Sequence, residues 1–139
     1  MLTQKEIENM LIKASEGVKK YFGEENSRFV GMELEYDLAK MRIPTAKFLV
    51  YRSWEITVSI DDIYRGGTMN YGVNIGEKYS LITLVPYKIS ERISFNDWSE
   101  DIQESLKVLD EYLIWRMTDA QKKTFGIPLD KEVLREDKK

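Results

Sequence analysis

The chain contains no cysteine and no histidine among its 139 residues. The first absence excludes disulfides, thiol nucleophiles and thiolate metal sites. The second removes the commonest general base, the usual zinc ligand and the side chain that changes charge near neutral pH. Ser-His-Asp chemistry is closed to this chain. Long hydrophobic runs are missing as well. Phe48-Leu49-Val50-Tyr51 is far too short to span a membrane. The opening Met1-Leu2-Thr3-Gln4-Lys5-Glu6 lacks the basic-then-apolar pattern of a signal peptide. A cytoplasmic location away from membranes is the resulting expectation.

What remains is the composition of an ordinary globular domain. Hydrophobic residues make up 42% and charged residues 32%, with both signs mixed, which suits a well-solvated surface rather than disorder. A chain of this length buries roughly two-thirds of its unfolded surface and needs no metal or disulfide to hold it. Residues 1–139 therefore read as one domain, with 129–139 as a tail that frays at its end. The net charge of −3 and pI of about 5.2 disfavour a nucleic-acid backbone as partner. The acidity is local. Residues 90–117 carry three positive and seven negative charges, whereas residues 29–89 carry seven of each.

Hydrophobic spacing divides the chain into three parts. Over residues 3–22, Ile7, Met10, Leu11, Ala14, Val18, Tyr21 and Phe22 recur at intervals of three and four, the pattern of an amphipathic helix. Thr3 and Glu6 form a capping box at its start, and Gly23 suits its end. The middle alternates instead. Val30, Met32, Leu34, Tyr36 and Leu38 define a first half-buried strand. Phe48, Val50, Trp54, Ile56, Val58 and Ile60 share one phase, which fits one bent strand or two broken near Arg52-Ser53. Arg65-Gly66-Gly67 and Gly76-Glu77 are turn signals, and Tyr79–Tyr87 is the expected last strand. Helical period returns over 95–117, with Ser94 and Asp97 as a capping pair, and Thr118 caps a short helix ending near Gly126. The expected architecture is a two-layer α+β domain: an N-terminal helix, an antiparallel meander of about five strands, then a C-terminal helix plus a short helix.

Two constellations bear on function. On the second long helix, Asp97, Glu100, Glu104 and Glu111 cluster opposite the core side, and Val108 and Trp115 fall among them. An apolar centre rimmed by carboxylates fits the interface for a basic partner. The competing reading is structural: early acids favour the helix dipole, and the next helix covers Trp115. The second constellation is Glu33, Glu35 and Asp37 on one strand face, where alternate side chains lie about 6.5–7 Å apart and can converge on a divalent cation. Charges on the wet face of an edge strand serve equally to prevent edge pairing. Arg65-Gly66-Gly67 suits a tight turn better than a phosphate loop, because the lysine and helix of that motif do not follow.

The leading expectation is a non-catalytic interaction protein that needs no cofactor. It would bind another protein's basic surface through Asp97, Glu100, Glu104, Val108, Glu111 and Trp115. In outline the layout is similar to that of immunity-type inhibitors and of chaperones for secreted proteins, an analogy of architecture alone. The alternatives are a metal-dependent enzyme built on Glu33, Glu35 and Asp37, and a protein with a pocket for a small apolar ligand between sheet and helices. A homodimer through a strand edge or the Trp115 face is a further expectation.

Overall fold

The computed structural model describes residues 1–93 and 102–135. Helix α1 (Gln4–Phe22) begins as its sequence dictates. The Thr3 hydroxyl accepts from the Glu6 amide at 3.1 Å, and the Glu6 carboxylate accepts from the Thr3 amide at 3.0 Å. Lys19 and Lys20 occupy the last turn, and Gly23 ends the helix with a positive φ. Ile7, Leu11, Ala14, Val18 and Phe22 form the buried stripe.

The sheet follows. Strands β1 (Ser27–Glu33), β2 (Thr45–Val50), β3 (Trp54–Asp61), β4 (Thr68–Asn74) and β5 (Lys78–Ser80) pair antiparallel in chain order. This is the expected meander. Pairing places Ala46, Val58 and Tyr71 in one row and Phe48, Ile56 and Val73 in the next. All six are buried against the helices; Phe48, Ile56, Val58 and Val73 each contribute about 2 kcal/mol of apolar transfer, and the single methyl of Ala46 much less. The opposite face carries Lys47, Thr57, Gly72 and Ser80 in one row, and Leu49, Glu55, Asn74 and Lys78 in the next.

The structure decides one open alternative of the sequence reading, in favour of two strands broken near Arg52-Ser53, and corrects two expectations. Residues 47–60 are two strands, separated by Tyr51-Arg52-Ser53, with φ of 50° at Tyr51 and 54° at Arg52. Such left-handed backbone is costly for a tyrosine. It is held because the ring packs between Phe22 and Phe125, with centroids 5.7 and 5.0 Å away. The first correction is that β1 starts earlier than the alternation implies and ends at Glu33, with a register irregularity between Phe29 and Gly31. Met32, Leu34 and Tyr36 pack on the core but Val30 and Leu38 at the two ends of the alternation are exposed, so the pattern reported burial only in its middle. The second concerns Tyr79–Tyr87, which is strand only through Ser80 and then forms α2 (Leu81–Leu84) and α3 (Tyr87–Ser90). Leu81, Val85 and Ile89 are buried at helical spacing, and Pro86 has no N–H to give a ladder.

Helix α4 (Ile102–Arg116) lies against α1, which also covers β1, β2 and β3, while α2 sits on β4 and β5. The expected Ser94–Asp97 start falls outside the described residues. Helix α5 (Asp119–Thr124) has the Thr118 cap in full, with Gln121 reciprocating. Beyond it the tail is anchored through residue 134: Val133 and Leu134 pack on the core, and the Leu134 amide donates to Glu111 at 3.0 Å. No helix among the described residues is long and apolar enough to cross a membrane.

Candidate binding cleft on the sheet

The acidic face expected on α4 does not form a continuous surface. Val108 is fully buried. Glu111 is buried too, with one carboxylate oxygen accepting from Arg92 at 2.8 Å and the other from the Leu134 amide. Glu104 accepts from the same Arg92 at 2.9 Å and stays 45% exposed. Trp115 is 62% exposed and lies beside the Tyr112 ring rather than under α5. Eleven residues separate Glu104 from Trp115, roughly 16 Å along the helix, and the stretch between them is covered. The physical reason is that α4 is packed from more than one side: Arg92 and the tail cover the flank that helical spacing assigns to solvent. Asp97 and Glu100 lie outside the described residues.

The carboxylate row is likewise dispersed. Glu33 is the last residue of β1, Glu35 pairs with Arg42 at 3.4 Å, and the Asp37 carboxylate accepts from the Ala39 and Lys40 amides at 3.0 and 3.3 Å. Asp37 is a turn cap. Among the described residues no cluster of acidic side chains is arranged to hold a metal ion. Gly66 and Gly67 both have positive φ, after a short 3-10 turn at Ile63–Arg65, so the Gly-Gly pair makes the turn that its chemistry suggests.

Under α4 lies a polar layer that spacing did not reveal. Asp110 is buried, and its two oxygens accept from Tyr51 at 2.5 Å and Tyr21 at 3.0 Å. Burial raises the Asp110 pKa above the usual carboxylate range, opposed by the two tyrosine hydrogen bonds and by Lys131. Burial also raises both tyrosines, with the Asp110 charge adding to the effect. Beside this layer Arg92 stays charged: burial works against its guanidinium, but Glu104 and Glu111 outweigh it. The tyrosines, Asp110, Arg92 and Glu111 are all partnered. They tie α1, the β2–β3 turn, α4 and the tail together.

The face of the sheet away from the helices is different. A cleft of about 310 Å³ opens there, walled on one side by Met41, Arg42 and Ile43 and floored by Thr45, Lys47 and Thr57, with Glu33, Glu55, Asn74 and Lys78 around it. The strand register explains the grouping. Lys47 and Gly72 flank Thr57 directly, and Lys78 pairs with Asn74 one row along. Thr57 is only 3% exposed, and its hydroxyl has no hydrogen-bond partner among the described residues. A buried hydroxyl left so costs about 1–3 kcal/mol. Glycine at 72 is required by the packing: a Cβ there would stand 2.5 Å from Thr57 Oγ1 and 3.0 Å from Lys78 Cε. The Lys78 stem thus lies across Gly72, over the hydroxyl.

The cleft brings charges of both signs together without pairing its lysines. Among the described residues neither Lys47 nor Lys78 makes an ion pair. Lys78 is exposed overall, but desolvation where its stem lies on the sheet lowers its pKa and the neighbouring Lys47 lowers it further, with Glu55 acting against both. Sequence reasoning missed this site. Its one visible trace was Glu33, which lines the cleft and which the sequence reading assigned to a carboxylate row instead.

Comparison with protein families, with curated proteins and with solved structures finds no match to this chain.

Proposed function

We propose that this chain is a non-catalytic recognition protein, and that its binding site is the cleft on the helix-free face of the sheet. One observation carries the reading: among the described residues, a buried threonine hydroxyl has no partner, at the floor of a cleft whose two lysines make no ion pair. Natural folds satisfy buried polar atoms unless the site serves another purpose. A polar group from a partner, seated against Thr57, supplies the missing hydrogen bond. The reading rests on binding rather than turnover because the cleft contains no imidazole or thiol, and because the titratable cluster under α4 is engaged in holding elements together. It keeps the interaction-protein class and moves the surface from α4 to the sheet.

The test is amide chemical-shift mapping with a set of small polar fragments, charged and uncharged. Hits whose shifts centre on Lys47, Thr57, Gly72, Asn74 and Lys78 support the reading. A set that binds only at α4 or at the β1 edge, or not at all, overturns it.

A further inference from the structure

We infer that the cleft is a carboxylate-binding subsite, in which Lys47 and Lys78 hold the anion while Thr57 donates to it. The inference rests on the cleft being the recognition site and adds the chemical class of the ligand group.

Three features point the same way. The two lysines converge on one spot. Lys47 stands directly beside Thr57 in the strand register, and the Lys78 stem crosses Gly72 on Thr57's other side. Glu33 and Glu55 border the cleft, yet among the described residues neither lysine has a carboxylate in ion-pair contact, so both ammonium groups can turn to an incoming anion. The hydroxyl provides a donor whose hydrogen is not committed elsewhere, and an anion is the acceptor that gains most from it.

The cleft's acidic side chains decide between anions. Glu33 and Glu55 both border it. A phosphate near neutral pH carries up to two charges and would meet both glutamates at short range. A carboxylate carries one charge and is planar, so it can lie flat on the floor with each oxygen toward an ammonium group. Arg42 at the rim is already paired with Glu35, which leaves the lysines as the free cations. The Lys78 stem seals the hydroxyl until its ammonium group turns toward the ligand. As an unbranched side chain next to the turn at Gly76, on an edge strand of three residues, it can do so without moving the sheet.

The experiment titrates the whole chain with sodium acetate and with sodium phosphate, each against sodium chloride at matched ionic strength. Amide shifts of Thr57 and Gly72 and the ammonium resonance of Lys78 are followed. Acetate is expected to move these signals saturably, to raise the Lys78 pKa and to bind more tightly than phosphate. Lys47→Gln and Lys78→Gln should each weaken acetate roughly tenfold or more, as charge-assisted hydrogen bonds require. Both sites are on a half-open surface, so the variants are expected to fold, and unchanged shifts in α1 and α4 verify it. Acetate binding that survives both substitutions places the anion elsewhere and overturns the subsite. Phosphate binding more tightly than acetate overturns the choice of carboxylate. If uncharged fragments occupy the cleft and acetate does not, the recognition reading stands and this inference fails. If neither binds there, both fail.

Discussion

Two polar regions are buried on opposite sides of the same sheet, and they differ in one respect. Under α4, Asp110 accepts from two tyrosines, and Arg92 joins Glu104 to Glu111 while Glu111 also holds the tail. On the outer face, among the described residues, the Thr57 hydroxyl has no partner and the two lysines that line the same cleft make no ion pair. The first region has spent its hydrogen-bonding capacity on the fold. The second has capacity left over. Burial of charge is therefore a poor guide to function in this molecule, and incomplete satisfaction is the better one. Substitutions that remove polar groups should have opposite signs in the two regions.

The largest expected effect is in the satisfied region. Arg92→Leu leaves Glu111 buried with its charge uncompensated, because the Arg92 side chain, itself only 9% exposed, is the cation that meets it. Removing one member of a buried pair costs about 3 kcal/mol or somewhat more, and urea denaturation at neutral pH should read it. Equal stability in the variant would show that the pair is screened by water, and would weaken the contrast at its strongest point. Glu104→Lys should cost far less than Glu111→Lys, since Glu104 is half exposed.

The next effect is smaller and depends on pH. In the folded chain the Asp110 pKa lies above its ordinary value, burial being the main cause and the Tyr51 and Tyr21 hydrogen bonds opposing it. A folded state that holds a proton more tightly than the unfolded state draws stability from it below the unfolded pKa, about 4. That contribution is lost as pH rises through the folded-state value. Denaturation curves from pH 4 to 7 should show this loss in the native chain and a flatter profile in Asp110→Asn. Tyr51→Phe should cost roughly 1.5–3 kcal/mol at pH 7, the range for a hydrogen bond to a charged acceptor. An identical pH profile in Asp110→Asn would mean that the carboxylate titrates normally despite its burial.

How much of this was legible beforehand follows from which side chains work locally. Thr3 with Glu6, and Thr118 with Gln121, cap helices within four residues of themselves, so both starts could be read directly. The α1 stripe and the inward row Phe48, Ile56, Val58 and Ile60 are periodic, and periodicity survives folding because it reports one dominant neighbour. Helix α4 has neighbours on several sides. Its Asp110 and Glu111 hydrogen-bond to Tyr21, Tyr51, Arg92 and Leu134, which lie between 19 and 89 residues away from them in sequence. No local pattern encodes that. The cleft was hidden for a related reason: Lys47, Thr57, Gly72 and Lys78 come from four strands, and each looks like an ordinary outward residue until the register aligns them.

The smallest effect is the most discriminating. Thr57→Val replaces the unpartnered hydroxyl with a methyl group of nearly the same size and keeps the branching at Cβ that strands favour. Nothing in the protein loses a hydrogen bond, and a desolvated polar atom is removed, so stability should hold or rise by up to about 1 kcal/mol. Thr45 provides the internal control. It is buried on the same face of the adjacent strand, but its hydroxyl donates to the Ile43 carbonyl at 2.9 Å. Thr45→Val should therefore cost about 1 kcal/mol. Paired thermal and urea denaturation of the two variants gives the sign of each change. If Thr57→Val is destabilising by as much as Thr45→Val, the hydroxyl at position 57 contributes to the fold after all. If Thr57→Val is neutral or stabilising and also weakens acetate binding, the chain carries that hydroxyl at a cost in stability for the sake of what binds there.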